Sequence, residues 1–256
     1  MNVFAVQSNI AWENPRVNLA RTRALLDSVR IPPGSLVALP EMFATGFSMN
    51  TPTTLDDGTA SDFLVDLARS TQSVVVGGLV EPGESKPGRN TALAIDPQGN
   101  LLARYGKMFP FSLGGETDAH ESGADVVFFR LEDMIVSPFI CYDLRFPEIF
   151  RIASGKGAEL LLVIANWPAK RIGHWVTLLQ ARAIENLAYV IGVNRCGADP
   201  FHDYPGRSLV IDPHGQILAD AGDQECVILA DIDPKVVRHW RREFPALRDR
   251  RLDLDF

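Results

Sequence analysis

The chain alternates short apolar runs with longer amphipathic segments along its whole length, and this alternation is its most constraining feature. Several of the runs, such as LLLVIA at 160–165, are continuously apolar, which is typical of strands that are buried on both faces. Strands that alternate with helices indicate a layered α/β protein. The runs predict strands at 3–7, 36–39, 74–80, 91–96, 126–131, 134–140, 160–165, 189–194, 208–212 and 227–232.

Two segments carry the clearest helical pattern. The first is 59–70, where Thr59 followed by Asp62 also predicts a capping box at the helix start. The second is 174–187. In both segments apolar residues recur at helical spacing, at Phe63, Leu64, Leu67 and Ala68 in the first and at Trp175, Leu178, Leu179, Ala183 and Leu187 in the second.

An internal repeat predicts how these elements are arranged. TALAIDPQGNLLA at 91–103 is similar to RSLVIDPHGQILA at 207–219, and each predicts a strand, a D-P-x-G turn and a second strand. LVALPE and LLVIANWP form a second similar pair. Two related halves, each a mixed sheet with helices on one face, would pack sheet against sheet as a four-layer αββα sandwich. The alternative is that D-P-x-G is simply a common hairpin turn and that the two stretches are not a true repeat.

No Pro/Gly/Ser-rich linker separates the halves, so we expect a single domain over 1–256.

Charge and composition exclude several classes of partner. With 25 basic and 32 acidic residues the formal net charge is −7, which gives no electrostatic basis for binding a phosphate backbone, so we expect no nucleic-acid partner. No apolar run approaches the roughly 18 residues of a membrane-spanning helix, and the opening MNVFAVQSNIAWENP lacks the basic start of a signal peptide. These features predict a cytoplasmic protein with no membrane partner.

The residues that usually bind metals are scattered. The three cysteines are odd in number and too widely spaced for a disulfide framework or a CxxC zinc site. No H-E-x-x-H zinc motif, serine-hydrolase elbow or phosphate-binding glycine loop occurs. The histidines have no ligand spacing, and we expect a surface or hydrogen-bonded role for each of His120, His174, His202, His214 and His239. We predict no metal site.

Cys141 lies between the apolar run MIVSPFI and a segment in which Pro147 and Glu148 are typical of the first turn of a helix. A thiol at such a junction is close to free backbone N–H groups, which predicts a lowered pKa and a reactive thiolate. A buried, inert cysteine is the alternative, and this segment alone leaves both open. Cys196 follows a strand without a charged partner motif and Cys226 begins an apolar run, so we expect both to be inert.

Three charged residues are candidate partners of this thiol. Glu41 directly follows LVALP, at the carboxyl end of a buried strand, where α/β proteins expose functional groups. Lys107 follows the strand LLARY, and Glu116 comes nine positions later. An ammonium next to a thiol lowers the thiol pKa and stabilises an oxyanion, while desolvation makes a glutamate a stronger base. Taken individually, each is more often a surface residue.

Together these segments resemble the nitrilase (carbon–nitrogen hydrolase) superfamily. The family's three motifs occur in order, as LPEMF with Glu41, YGKMFPF with Lys107 and ICYDLRFPE with Cys141. The similarity continues through ANWPAKRIGHWVTLLQARAIENLAYVIGVNRCG and GRSLVIDPHGQIL, so it covers essentially the whole chain. LPEMFATGF, ANWP and HW-x-x-L-L-x-A-R-A-I-E-N look most like omega-amidases. The chain departs from the family where its usual histidine and leucine are Phe109 and Pro110.

The resemblance implies an αββα sandwich with a catalytic triad of Glu41, Lys107 and Cys141, in agreement with the internal repeat. It also implies that Glu116 orients Lys107 or the substrate, and that the backbone N–H of Tyr142 helps to hold the oxyanion. The related proteins pair through the helix after the nucleophile and the helix at 174–187. A homodimer or a larger homo-oligomer is therefore expected.

Substrate binding is less constrained by the sequence. Asp143 and Arg145 are candidates for binding an acidic substrate, and a local salt-bridge network between them is the alternative. Trp167, at the sheet edge that also carries Glu41, either lines the pocket or only packs. Phe109 replaces a polar family residue, which favours a more apolar pocket.

The implied reaction is hydrolysis of an amide through a thioester, with no cofactor. The expected substrate is a short 2-oxo acid with a terminal amide, such as 2-oxoglutaramate or 2-oxosuccinamate, whose carboxylate would need a positive subsite from Lys107 or Arg145. A deaminated glutathione amidase, or another small-amide or carbamoyl hydrolase, would share the catalytic motifs. The alternative of another class is a non-catalytic binding protein on the same fold.

Overall fold

The structure, a computed structural model, describes residues 1–251. Its strands are β1 (Asn2–Gln7), β2 (Leu36–Ala38), β3 (Val74–Pro82), β4 (Gly88–Ile95), β5 (Leu101–Gly106), β6 (Phe129–Leu131), β7 (Met134–Ile140), β8 (Leu160–Ala165), β9 (Tyr189–Asn194), β10 (Cys196–Ala198), β11 (Asp203–Pro205), β12 (Leu209–Ile211), β13 (Ile217–Asp220) and β14 (Cys226–Asp231). Its α-helices are α1 (Pro15–Asp27), α2 (Thr51–Thr54), α3 (Thr59–Thr71), α4 (Glu116–Ala119), α5 (Pro147–Gly155), α6 (Ile172–Asn186) and α7 (Pro234–Glu243). Short 3-10 helices lie at Ser112–Gly114, Cys141–Arg145 and Ala169–Arg171.

The strands form two six-stranded mixed sheets with the same plan. The first has the order β14-β1-β2-β3-β4-β5 and the second has the order β13-β12-β9-β8-β7-β6. In each sheet three neighbouring strands are parallel, namely β1, β2 and β3 in the first and β7, β8 and β9 in the second. Each also has an antiparallel hairpin with a register shift, β4–β5 and β12–β13, and these hairpins contain the repeated sequences. The repeat therefore corresponds to two halves of the same topology.

The sheets pack face to face because both of their faces are apolar. In β1, Val3 and Ala5 belong to the core shared with the second sheet, whereas Phe4 and Val6 belong to a separate core under α1 and α3. Helices α5 and α6 cover the outer face of the second sheet. The predicted four-layer αββα sandwich is confirmed.

The start of α3 differs from the prediction. Gly58, with φ 103°, occupies the position before the helix, and Thr59 is already its first helical residue, so the predicted capping box is wrong. The carboxylate of Asp56 caps the helix instead, since it accepts hydrogen bonds from the backbone N–H groups of Ala60 (2.8 Å) and Ser61 (3.2 Å).

Several elements have no counterpart among the sequence predictions. Helix α1 buries the polar residues Asn18 and Thr22 together with Leu26, so its inner face does not stand out as apolar. Helix α7 buries only Val237. Strands β10 and β11 are too short for a detectable pattern, and the strand predicted at 126–131 is confined to its last three residues. Within residues 1–251, no helix is long and apolar enough to cross a membrane.

Candidate active site

The candidate catalytic side chains meet where strands of the two sheets end. Glu41 lies just after β2 and Lys107 directly after β5, both in the first sheet. Cys141 directly follows β7 and Asn166 directly follows β8, in the second sheet. Because the sheets are packed face to face, these strand ends approach one another. Glu41 and Lys107 are 0% and 1% exposed, so neither is the surface residue that its type alone suggests.

Backbone packing fixes the turn that carries Glu41. The backbone N–H of Gly78 in β3 donates to the carbonyl of Pro40, and the carbonyl of Gly78 accepts from Phe43. A Cβ atom at Gly78 would lie 2.7 Å from the Cα of Glu41 and 2.9 Å from the backbone nitrogen of Met42, so only glycine fits. Met42 itself has φ 45°, in the left-handed region. Strand β3 thus presses directly against the backbone of Glu41.

A buried ammonium joins two carboxylates. Lys107 Nζ donates to Glu41 Oε1 at 3.0 Å and to Glu116 Oε2 at 2.7 Å. Burial lowers the pKa of Lys107, but the charges of Glu116 and Glu41 outweigh it and leave the pKa raised. Burial likewise opposes ionisation of Glu116, yet Lys107 and hydrogen bonds from His120 and Asn90 hold its pKa at about 2. Lys107 is therefore a cation and Glu116 an anion at neutral pH.

The second oxygen of Glu41 is held from the opposite sheet. Glu41 Oε2 accepts from the backbone N–H of Asn166 at 2.8 Å, and the Asn166 side-chain amide donates to the backbone carbonyl of Glu41 at 2.7 Å. Both carboxylate oxygens of Glu41 thus have fixed partners, which immobilises the carboxylate beside the thiol.

Cys141 lines a cavity, and its own backbone is strained. Its φ is 49°, in the left-handed region, and it begins the 3-10 helix Cys141–Arg145. Burial and the charge of Glu41 raise the thiol pKa, and the opposing effect of Lys107 is smaller. The predicted lowering of this pKa is wrong, because free N–H groups of one short turn do not offset burial beside two carboxylates. The resting sulfur is therefore a thiol that needs a base.

Of the aromatic residues near Cys141, some line the cavity and others pack in the interior. The ring of Tyr142 lines the cavity, and its backbone N–H lies in the first turn of the 3-10 helix, where N–H groups have no intrahelical partner. Phe109 stacks on Phe146 with ring centroids 3.8 Å apart, and Phe111 rather than Phe109 lines the cavity. Phe109 thus packs on Phe146 and is not among the residues that line the cavity.

The cavity has a volume of about 660 Å³ and two cationic side chains in its wall. The Arg145 guanidinium lies 4.9 Å above the ring of Trp167 and 3.3 Å from Nδ1 of His174. Arg171 lies 5.3 Å above the ring of Phe111. Trp167 lines the cavity and also packs, since its indole N–H donates to the backbone carbonyl of Arg171 at 2.7 Å. The wall also contains the carboxylates of Glu13 and Asp199, so positive charge for an anionic ligand is available only locally, at Arg145 and Arg171.

Asp143 does not pair with Arg145 and does not face the cavity. It is fully buried and accepts from the hydroxyl of Tyr105 (2.7 Å) and from the backbone N–H groups of Ile140 and Phe109 (3.0 Å each). The predicted substrate-binding role and the alternative salt bridge are both wrong for this residue. Asp143 instead ties the turn of Cys141 to the loop after Lys107. Burial, opposed by these hydrogen bonds, raises its pKa to about 7.

We expect this carboxyl to make the folded protein less stable as the pH rises. Its folded-state pKa of about 7 exceeds its ordinary value of 3.8, so the native state binds the proton more tightly than the unfolded chain. That stabilisation is complete below about pH 4 and is lost as the pH passes 7. Between pH 5 and pH 8 the free energy of unfolding should fall further in the wild type than in Asp143→Asn, by on the order of 2 kcal/mol. Urea unfolding at both pH values measures this difference, and equal falls would contradict it.

Sequence reasoning missed two polar residues of this cluster. Asn90 and Asn166 both contact Glu41, and Asn166 also has the sequence signal of a polar residue at the end of a buried parallel strand. His120 is buried, with Nδ1 3.5 Å from Glu116 Oε1, in keeping with a hydrogen-bonded role. Across 1–251 no group of three or more His, Cys, Asp or Glu residues is placed to hold a metal ion.

Comparison with known proteins identifies a single family. The carbon–nitrogen hydrolase family model matches residues 2–242. The chain is 32% identical over 255 residues to a 2-oxoglutaramate amidase of Bacillus subtilis, covering 98% of each chain. It is 36% identical over 252 residues to the omega-amidase YafV of Yersinia enterocolitica, covering 97% of this chain and 96% of that one.

The fold has a close match among solved structures. It superimposes with a TM-score of 0.93 on XC1258 from Xanthomonas campestris, a CN-hydrolase superfamily protein whose crystal structure has an arsenic adduct in the active site. The two chains are 32% identical, and the match covers 100% of this chain and 99% of XC1258.

Proposed function

This chain belongs to the carbon–nitrogen hydrolase family and is an amide-hydrolysing enzyme, and on that premise we propose that it acts on short 2-oxo dicarboxylic monoamides. In this proposal Glu41, Lys107 and Cys141 form a catalytic triad that cleaves the terminal amide of 2-oxoglutaramate or 2-oxosuccinamate. The products are the dicarboxylate and ammonia. The family assignment and the amidase relatives argue against the alternative of a non-catalytic binding protein.

One observation carries the proposal. The Cys141 thiol faces a cavity of about 660 Å³, while Glu41 and Lys107 lie buried directly behind it and are held by hydrogen bonds of 2.7–3.0 Å. This arrangement supports the roles that we propose for these three residues as nucleophile, base and oxyanion donor, next to a space that admits a small molecule.

The first half-reaction is acylation of the thiol. Glu41 takes the proton from Cys141 as the sulfur attacks the amide carbon, so the raised thiol pKa is overcome only in the presence of substrate. The Lys107 ammonium and the backbone N–H of Tyr142 stabilise the oxyanion of the tetrahedral intermediate. The C–N bond then breaks, Glu41 returns the proton to the leaving nitrogen, and ammonia departs from a thioester.

The second half-reaction is hydrolysis of that thioester. Glu41 removes a proton from a water molecule, which attacks the acyl carbon. The C–S bond breaks, Glu41 returns that proton to the sulfur and the carboxylic acid is released. Glu116 stays ionised through both halves, because its pKa is about 2, and keeps Lys107 charged and oriented. The chemistry of this cycle requires no cofactor.

Arg145 is the side chain we propose for recognition of the substrate carboxylate. It lines the cavity, and its stacking over Trp167 holds the guanidinium plane in place. Lys107, the other candidate, already donates hydrogen bonds to two carboxylates, so it is less suited to bind a third. The Arg171 guanidinium adds positive charge to the same wall.

We expect 2-oxoglutaramate to be preferred over pentanamide, an uncharged amide of the same chain length, by at least about tenfold in kcat/KM. The reason is the charge of Arg145, so Arg145→Met should remove most of that preference. Ammonia release from both amides measures it. A preference of about tenfold for pentanamide, equivalent to about 1.4 kcal/mol in transition-state binding, would overturn the substrate assignment. A competition assay against deaminated glutathione tests the alternative amidase.

We further propose that the protein is cytoplasmic and at least a homodimer. Ile152 on α5 and Ile184 on α6 are 46% and 53% exposed, and they give these two helices apolar surface that a second subunit would cover. This placement agrees with the pairing that the family resemblance implies.

A further inference from the structure

Asn90 touches every buried member of the charged cluster. It is 1% exposed and lies in β4, behind the cavity rather than in its wall. Its side-chain Nδ2 donates to Glu41 Oε1 and to Glu116 Oε1, each at 2.8 Å. Its backbone carbonyl accepts from the backbone N–H of Lys107, also at 2.8 Å. One residue therefore contacts both carboxylates and the residue that carries the ammonium.

The two carboxylates need more than the ammonium to stay together. Glu41 and Glu116 are both buried, and like charges at close range disfavour joint ionisation. Lys107 donates one hydrogen bond to each, and the two hydrogens of the Asn90 amide supply a second bond to each. The result is a closed ring of four polar side chains in which each carboxylate is bonded from both sides.

The orientation of the amide follows from this chemistry. If the amide were rotated by 180°, Asn90 Oδ1 would point at two carboxylate oxygens, and acceptor would face acceptor. In the observed orientation Oδ1 has no hydrogen-bond partner among residues 1–251. A buried carbonyl oxygen without a partner is unfavourable. The two hydrogen bonds that Asn90 Nδ2 donates to the carboxylates are therefore formed at the cost of leaving Oδ1 without a hydrogen-bond donor.

We infer that Asn90 is a positioning residue of the amidase reaction, which fixes the distance between Glu41 and Glu116 on one ammonium and so aims Glu41 at Cys141. The inference rests on the proposed function of Glu41 as the base. Asn90 has no contact with the cavity, so its role is to hold the base and not to bind the substrate.

Two substitutions separate positioning from simple structural support. Asn90→Ala removes both N–H bonds, and we expect kcat to fall by about 10²-fold with KM changed less than about twofold, because the base is displaced while the cavity is intact. Asn90→Asp keeps the shape but places a third carboxyl in the ring. While protonated it still donates one bond, so its kcat relative to wild type should rise at least about tenfold as the pH falls from 8 to 5. The same ratio for Asn90→Ala should stay flat.

Asn186→Ala is a matched control. Asn186 on α6 is also fully buried, donates from Nδ2 to the carbonyl of Arg182 at 3.0 Å, and has an Oδ1 without a partner in the described chain. Its Nδ2 also lies 3.4 Å from Oε1 of the neighbouring Glu185, but α6 covers the outer face of the second sheet, away from Glu41 and Glu116, so we expect a comparable loss of melting temperature with unchanged kcat. A kcat for folded Asn90→Ala within about threefold of wild type would overturn the inference. So would a pH-independent Asn90→Asp ratio, or failure of both Asn90 variants to fold.

The rate of Cys141 alkylation by iodoacetamide makes this test independent of the substrate. A third negative charge near the thiol should slow alkylation of Asn90→Asp relative to wild type at pH 8 and much less at pH 5. If the wild type hydrolysed none of the amides, the proposed function would fail, yet this ratio would still test whether Asn90 controls the charge beside Cys141. An alkylation ratio that is the same at both pH values would count against Asn90 alone.

Discussion

Replacing Cys141 with alanine should abolish amide hydrolysis, with a fall in kcat on the order of 10⁵-fold or more, because no other group can form the thioester. The raised thiol pKa does not weaken this expectation, since Glu41 is placed to take the proton during attack. Ammonia release from 2-oxoglutaramate measures the loss. Near-normal turnover by Cys141→Ala would show that the nucleophile is misassigned.

The other two cysteines provide matched controls. Cys196 is buried with a pKa raised to about 11 by desolvation, and Cys226 is part-buried at the start of β14. Neither lines the cavity, so Cys196→Ala and Cys226→Ala should retain activity. Peptide mass spectrometry after brief iodoacetamide treatment should find the label first on Cys141, because Cys141 lines the cavity and Glu41 can take its proton as the sulfur attacks the reagent. Substrate should protect that site.

Glu41→Gln should reduce kcat by about 10⁴-fold, because it removes the group that carries protons in both half-reactions. The substitution preserves shape, and the amide can still accept from Lys107, so the fold should survive. Circular dichroism and melting temperature check this, since Lys107 loses part of its charge compensation. Single-turnover measurements should find both acylation and hydrolysis slowed. Activity within about tenfold of wild type would refute the proposed mechanism.

A buried carboxylate outside the site controls for the loss of charge itself. Glu159 is 8% exposed and pairs with Arg238 at 2.7 Å, on the side of the molecule where α7 packs. Glu159→Gln removes the charge of a buried carboxylate as Glu41→Gln does, although its partner Arg238 is part-exposed, and we expect it to lower stability with kcat unchanged. The contrast between the two variants isolates the catalytic effect.

The sequence was sufficient for the architecture because the buried parallel strands and the two D-P-x-G hairpins carry strong local signals. LLLVIA at 160–165 is β8 without a shift of either end, and the two hairpins occupy equivalent places in the two sheets. Helix α1 was not predicted because its buried face contains the polar residues Asn18 and Thr22 and therefore lacks an apolar periodicity. Asn18 instead donates a hydrogen bond to the backbone carbonyl of Ala44.

The site was less predictable because its members are joined by contacts between distant segments. Glu41 and Asn166 are 125 positions apart, and no pattern in either segment indicates their hydrogen bond. The sign of the Cys141 pKa shift was mispredicted for a related reason. Local sequence indicates a helix start near the thiol, whereas the number of carboxylates packed around it depends on the whole sandwich.

The hydrogen bonds between Glu41 and Asn166 cross from one sheet to the other, and so the reacting groups span the boundary between the two halves of the molecule. Glu41 and Lys107, the proposed base and oxyanion donor, belong to one half, and Cys141, the proposed nucleophile, belongs to the other. Neither half contains a complete set of groups for the chemistry. In the proposed mechanism, catalysis therefore depends on the spacing between the sheets, and an increase of about 1 Å in that spacing would lower the rate by on the order of 10²-fold while every strand remained intact.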